Sequence, residues 1–534
     1  MHNTLKRLGL LAIILASFLM GHWAFHGVPQ RQDYSSADSI ITNLHLFNEI
    51  MVMLDRHYVN DIASGEMIRD AIEGAIDNLD PHTRYFDTAE FTRFQDDTAG
   101  HFGGIGLTIQ SIDDTITVMS IIPDAPAWEA GILTGDRILS VDGHNLVGAS
   151  EDEAVEHIRG EEGSRVQITL MSLGNGGERS CDLLRDRIKI DSVPYSFMLD
   201  SDIGYIRLQQ FNANATSELS ATLDKFAREG AKGLVIDLRN NPGGLLSEAI
   251  DTVGEFLGPD KLVVSTRGRL PEYDQDFYTR FEGHQPSLPI VVLINEASAS
   301  ASEIFAGAMQ DYDCALIMGE VSFGKGSVQQ LFPLTEGGLK LTTSYYYIPS
   351  GRCIHKPQND DLLRSRPVNL NGAFNAGDTS AEFHTSSGRT VEGGGGVTPD
   401  IQFTPVLLGG AATSLRARNT FFHFTSNLLQ QRQTVITPAS RLSEADIESY
   451  FQRYASTDEI REELEPDMEW VLTELQATYL DMGLNAAAGQ RLRVEIDPLV
   501  TQARRLLAQA ETQEQLFALA ETTEPVASRQ GFHP

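Results

Sequence analysis

The chain has 534 residues, 41% of them hydrophobic and 22% charged, and its formal charge is −33. That charge repels phosphate backbones and argues against a nucleic-acid partner, while the length allows three or four domains at about 100–200 residues each. Three cysteines, Cys181, Cys314 and Cys353, exclude a disulfide scaffold and a Cys-based zinc pattern, and no repeat of about 20–50 residues is visible.

Lys6 and Arg7 precede an uncharged apolar run from Leu8 to Met20, followed by Gly21-His22-Trp23-Ala24. A basic start and an apolar stretch of this kind read as an export segment within residues 1–30. It is shorter than a span of about 20 residues and lacks an A-x-A cleavage site, so signal peptide and uncleaved anchor both remain open. Residues 38–100 read as helical, with Phe47, Ile50, Met51, Leu54 and Tyr58 at three- and four-residue spacing, and Met67, Ala71, Ala75 and Leu79 likewise. Asp80-Pro81-His82 breaks this pattern. Residues 101–188 form a β-rich module, with strands at Ile105–Ile109, Ile116–Val118 and Val166–Met171 and a short helix at Asp152–Arg159.

Residues 189–405 alternate. The apolar runs Ile203–Leu208, Gly233–Leu238, Ile290–Asn295 and Ala315–Met318 suit strands covered on both faces. Thr216–Ala227, Leu246–Phe256 and Ser302–Gln310 suit the helices between them, so the class is α/β. Residues 355–391 are polar and rich in Gly, Asn and Ser, as in a surface insertion. Residues 406–534 are helical again. Their stripe Ile460, Leu464, Met468, Val471, Leu475 is interrupted by Pro466, and Ser443 with Asp446 resembles a capping box.

Chemistry concentrates in the alternating part. After Ile290–Asn295 comes Ser298-Ala-Ser300-Ala-Ser302-Glu303, a buried strand running through a small-residue elbow into a helix. A Ser there can expose its hydroxyl while the following N–H groups face the same space. Ser300 to Glu303 also has the spacing of a simple helix cap. A Ser nucleophile needs a base, and the 14 histidines sit in no obvious constellation. Lys325, between Gly324 and Gly326, is one of eight lysines in the chain; buried Lys can lose its proton and Arg cannot. Gln329 shares its side if the chain is extended there. The turn Leu238-Arg-Asn-Asn-Pro-Gly243-Gly244 closes another buried strand and offers backbone N–H groups.

Taken with Leu79-Asp80-Pro81-His82, Gly100-His-Phe-Gly-Gly-Ile-Gly106, Gly135-Asp136, Phe323-Gly-Lys-Gly326, Tyr347-Ile-Pro-Ser-Gly-Arg352 and Gly396-Val-Thr-Pro-Asp400, these pieces resemble the C-terminal processing peptidases, or tail-specific proteases, over residues 40–405. The resemblance implies a crotonase-like α/β core with an inserted PDZ domain and a Ser–Lys dyad. Ser300 would be the nucleophile, Lys325 the base and Gln329 its orienting partner. The N–H of Ala301, with one from Gly243 or Gly244, would form the oxyanion hole. Gly104-Ile105-Gly106-Leu107 matches the PDZ loop that captures a chain-terminal carboxylate, with a pocket for apolar tails near Ile105 and Leu107.

Further expectations follow from the resemblance. They are an exported endopeptidase on the periplasmic side of a bacterial envelope, membrane contact through the N-terminal segment alone, and no metal or cofactor. Partners would be proteins with apolar C-terminal tails, and a helical-repeat adaptor lipoprotein or a second copy of the chain in the manner of some relatives. A silent tail-binding protein, a protease inactive without its adaptor and acyl-CoA chemistry on the same core are the competing readings.

Overall fold

The computed structural model describes residues 35–172, 177–200, 202–356, 382–432, 435–523 and 526–529. The expected export segment and most of the expected insertion lie outside them. The described residues up to Leu79 form one unit, containing α1 (Ser35–His57) and α2 (Ser64–Ile76). No helix among the described residues is long and apolar enough to cross a membrane.

The second unit begins at Asp80. Here the expectation of helix up to residue 100 is corrected: β1 (Arg84–Phe86) precedes α3 (Thr88–Ala99). Asp87 restarts the helix with a capping box to Glu90, and Gly100, at φ +75°, ends it. The β-rich module follows. Strand β2 (His101–Gly104) leads in. Then come β3 (Leu107–Ile112), β4 (Thr115–Ile121), α4 (Pro126–Glu129), β5 (Arg137–Val141), β6 (His144–Asn145), α5 (Glu151–Ile158), β7 (Arg165–Met171) and β8 (Glu178–Leu184), before β9 (Asp186–Lys189) leads out. β2 and β9 pair antiparallel, so chain entry and exit run through one two-stranded neck. The module's sheet has the order β3-β4-β5-β7-β8, with β6 on β5. Val166, Ile168 and Leu170 of β7 alternate inward to meet Ile116, Val118 and Ile138.

The core comprises β10 (Tyr195–Leu199), β11 (Ile203–Arg207), α6 (Ala215–Glu229), β12 (Gly233–Asp237), α7 (Leu246–Leu257), β13 (Leu262–Gly268), β14 (Gln275–Tyr278), β15 (Ile290–Ile294), α8 (Ala301–Asp311), β16 (Leu316–Gly319), β17 (Ser327–Pro333), β18 (Gly338–Tyr347), β19 (Phe383–His384), β20 (Thr390–Val391) and β21 (Ile401–Val406). The C-terminal part adds α9 (Gly410–Ala417), α10 (Thr420–Gln431), α11 (Glu444–Tyr454), α12 (Asp458–Leu464), α13 (Met468–Gly483), α14 (Ala486–Ile496), α15 (Pro498–Leu507), α16 (Gln513–Glu521) and β22 (Val526–Arg529). The break at Pro466 appears as a 3-10 turn between α12 and α13.

The central sheet runs β10-β11-β12-β15-β16-β21-β22. It is parallel from β11 onward, with β10 antiparallel at one edge. Every residue of β11, β12, β15 and β16 is buried, because both faces are covered. One face carries α6, α7 and α8, through Leu223, Phe226, Val253, Phe256, Phe305 and Met309. The other carries Val494, Leu499, Val500, Ala503, Leu506, Leu507 and Leu516 from α14, α15 and α16. The last helices are therefore the third layer of the core, whereas α9 to α13 build a separate cluster around Tyr450 and Trp470. A second sheet, β1-β18-β13-β14 with β17 on β18, stands beside the carboxyl ends of the central strands and walls the site.

Candidate active site

Three strand–turn–helix or strand–turn–strand junctions converge at one end of the central sheet. β15 ends at Ile294 and α8 begins at Ala301. Between them, the Ser298 hydroxyl donates to Leu238 O (2.8 Å) and accepts from Asn295 N–H (3.0 Å). The Ser302 hydroxyl donates to Asn241 O (3.0 Å). Both are therefore tied to the scaffold. Ser300 lies between them at φ +56°, ψ −114°, a region that non-glycine residues rarely occupy and that surrounding structure must enforce.

The enforcing group is Glu303, fully buried at the start of α8. Its carboxylate accepts from Ser300 N–H (2.8 Å), Gly324 N–H (2.7 Å), Lys325 N–H (2.9 Å) and Ser322 Oγ–H (2.6 Å). One side chain thus fixes the backbone at both Ser300 and Lys325. Burial pushes its carboxyl pKa up, against the pull of these four donors. Tyr346 of β18 adds a second tie: its hydroxyl donates to Ser300 O (3.2 Å) and to Lys325 O. The Ser-x-x-Glu spacing signals Glu303 as a helix cap, and no local pattern signals Tyr346.

Lys325 lies on the loop from β16 to β17. Among the described residues its ammonium has no hydrogen-bond or ion-pair partner. Burial lowers its pKa below the usual 10.5, opposed by the charges of Glu303 and Asp80. Asp80 accepts from His82 N–H, Thr83 N–H and Thr342 Oγ1–H, so the Asp-Pro-His break belongs to the wall of the site.

The turn after β12 carries Gly243 and Gly244. A side chain on Gly243 would place its Cβ 2.8 Å from both Ser300 Cβ and Ala301 N, so only glycine permits this approach. Gly243 N–H is already given to Asn241 Oδ1 (2.9 Å), which removes it as an oxyanion donor. Gly244 N–H and Ala301 N–H have no acceptor among the described residues. Gln329 lines the same cleft as Lys325. Its amide Nε2 donates to Ser327 Oγ (2.9 Å), Ser327 O (3.3 Å) and Thr342 Oγ1 (3.3 Å), and it forms no hydrogen bond with Lys325. The strand has a bulge between Val328 and Gln329, so the two-residue alternation on which the pairing with Lys325 rested is broken. Gln329 braces the wall between β17 and β18.

Ser300, Ala301, Gly244, Lys325 and Gln329 all line one cleft of about 690 Å³, whose apolar wall includes Leu246, Phe277, Ile304 and Leu331. A hydroxyl at a strained elbow, a partly buried amine without a counter-ion and two free N–H donors are the parts that acyl transfer requires.

The β-rich module holds the expected tail-capture loop. Gly104 belongs to β2, opposite Asp186, and Ile105 is buried in the module's own core, so neither lines an open pocket; Leu107 remains partly exposed. Ile105 N–H and Gly106 N–H have no acceptor among the described residues. Gly106 sits at φ +76°, and a Cβ there would lie 2.3 Å from Ala125 Cβ. β3 is an edge strand, open to addition of another strand.

The model of peptidase family S41 matches residues 202–362, and that of the PDZ domain matches residues 117–170. The chain is 41% identical over 331 residues to a carboxy-terminal-processing protease of Bartonella bacilliformis, covering 60% of this chain and 76% of that protein. The chain belongs to the carboxy-terminal processing proteases of peptidase family S41. Among other members of this family, it is 36% identical to the carboxyl-terminal-processing protease of Synechocystis (57% of this chain, 72% of that one). It is 31% identical to the carboxy-terminal processing protease CtpA of Bacillus subtilis (65% and 72%). Of solved structures, a photosystem II D1 C-terminal processing protease aligns at 28% identity and a TM-score of 0.34, over 58% of this chain and 89% of that one. Membership of the family makes this chain a serine-type peptidase with a PDZ domain.

Proposed function

We propose that this protein is an exported endopeptidase that captures protein C-termini with its PDZ domain and cleaves envelope proteins through a Ser300–Lys325 dyad. The observation that carries the reading is the shared cleft. The strained Ser300, the partnerless Lys325 amine and the free N–H groups of Ala301 and Gly244 belong to residues that line it together. Neutral Lys325 takes the Ser300 hydroxyl proton as Oγ attacks the scissile carbonyl. The N–H groups of Ala301 and Gly244 hold the resulting oxyanion. As the C–N bond breaks, the Lys325 ammonium returns that proton to the leaving amine. Lys325 then deprotonates a water, which hydrolyses the acyl-Ser300 ester.

In this reading the tail's carboxylate binds the N–H groups of Ile105 and Gly106, and the tail adds as a strand beside β3. The remote contact delivers a disordered chain end to the dyad. The basic and apolar start of the chain supports an address on the periplasmic side of the envelope. Membrane contact is limited to that segment, and a helical-repeat adaptor or a second copy is a candidate partner.

Wild type, Ser300→Ala and Lys325→Ala, at equal concentration, are mixed with an unfolded protein ending in apolar residues, and cleavage is followed by gel and mass spectrometry. Cleavage by wild type alone is expected. Equal cleavage by all three overturns the dyad. Fractionation of cells and N-terminal sequencing of the mature chain test the address.

A further inference from the structure

The PDZ domain carries a second cluster of reactive side chains, outside the catalytic cleft. Glu153 and His157 stand four residues apart on α5, one turn along the same face. His144 reaches them from β6: its Nε2 is 3.0 Å from Glu153 Oε1, and its ring stacks on that of His157 with centroids 4.1 Å apart. One ligand atom from each of the three lies within 4.8 Å of the others. None of the three lines the cleft of Ser300 and Lys325, and none has a part in the peptidase chemistry above.

We propose that His144, Glu153 and His157 form a binding site for a divalent transition-metal ion of the zinc class. Two borderline imidazole nitrogens beside one carboxylate oxygen make a donor set that suits Zn²⁺, Co²⁺ or Ni²⁺ better than Mg²⁺ or Ca²⁺. Metal–ligand bonds of about 2.0–2.2 Å place tetrahedral ligand atoms roughly 3.3–3.5 Å apart, so small rotamer changes close the cluster. His144 and Glu153 are exposed and His157 half-buried, which gives those side chains that freedom and leaves a position open to water.

The backbone under the ligands is held at both ends of α5. Ser150 Oγ accepts from Glu153 N–H (3.2 Å), and Arg185 Nη2 donates to His157 O (2.8 Å). A chain of charge −33 also concentrates cations at its surface. The ion would bridge β6 to α5. At the start of the same helix, Glu151 Oε1 accepts from Ser111 N–H of the edge strand β3 (2.8 Å). The ion would thus pin the helix that flanks the strand-addition edge. The site itself does not depend on the peptidase reading, because its readout is metal binding.

The test uses the full chain and Co²⁺ alone, followed by visible absorption, with Zn²⁺ competition and equilibrium dialysis. Wild type should bind one Co²⁺ with the intense d–d bands of a four- or five-coordinate site, and Zn²⁺ should abolish them. His144→Ala/His157→Ala and, separately, the milder His144→Asn should lose the bands while melting, without metal, at the wild-type temperature. Absence of bands in wild type at millimolar Co²⁺, or bands unchanged in both variants, overturns the proposal.

Discussion

Lys325 is asked to be neutral near the working pH, and its surroundings act in that direction. Burial destabilises the ammonium, and the charges of Glu303 and Asp80 oppose it. A base with a lowered pKa is protonated below that pKa and active above it. The rate kcat/KM should therefore rise with pH and level off below 10.5, the ordinary lysine value; a pH–rate profile checks this, and a profile flat from neutral to alkaline pH removes Lys325 as base. Glu303 has a different task. Glu303→Gln keeps the shape but turns an acceptor of four donors into a group that must itself donate. Each buried donor left unpaired costs about 1–3 kcal/mol. We expect a drop of tenfold or more in kcat with little change in KM, and a lowered Tm, measured by steady-state kinetics and thermal melts.

At the scale of elements, the sequence was most informative where burial was complete. The runs in β11, β12, β15 and β16 read as strands covered on both faces, and they are. The elbow at Ser300 and the loop at Lys325 were legible from their motifs. Less legible were the hydrogen-bond partners that the folded backbone selects. The alternation from Lys325 to Gln329 assumed a regular strand, and a bulge intervenes. Gly243 looked equivalent to Gly244 until the Asn241 side chain claimed its N–H. Tyr346 and the His144–Glu153–His157 cluster come from segments whose meeting no local pattern announces. The tail-capture turn permits a direct test at this scale. Gly106→Val forces a Cβ against Ala125 in a left-handed backbone. Cleavage of a substrate with an apolar tail should fall far more than cleavage of casein, and equal losses on the two would refute tail capture by this turn.

At the scale of the whole molecule, the apolar stripes of the C-terminal helices announced that they pack, but not against what. The stripe on α12 and α13 packs into the cluster around Tyr450 and Trp470, whereas α14, α15 and α16 cover the second face of the peptidase sheet, and a buried charge network locks them there. Asp237 lies among Tyr205, Arg207 and Arg239; burial alone would raise its pKa, but the two guanidiniums bring it down to about 2. Arg239, at the head of the turn after β12, also donates to Asp497 Oδ2 (2.7 Å), and Asp497 caps α15 through Leu499 N–H and Val500 N–H. Asp497→Ala leaves a buried guanidinium half-paired. Breaking such a pair typically costs about 3–5 kcal/mol, so denaturant unfolding should show a loss of that order, with Asp497→Asn losing less because it still caps the helix.

That lock has a consequence for the order of events during synthesis. The ribosome releases β11, β12, β15 and β16 well before α14, α15 and α16, and domains fold as their parts emerge. Until the last helices arrive, one face of the nascent sheet stays uncovered and the turn after β12 lacks its anchor at Asp497. The peptidase therefore matures late. A chain still being made lacks the third layer of its peptidase core.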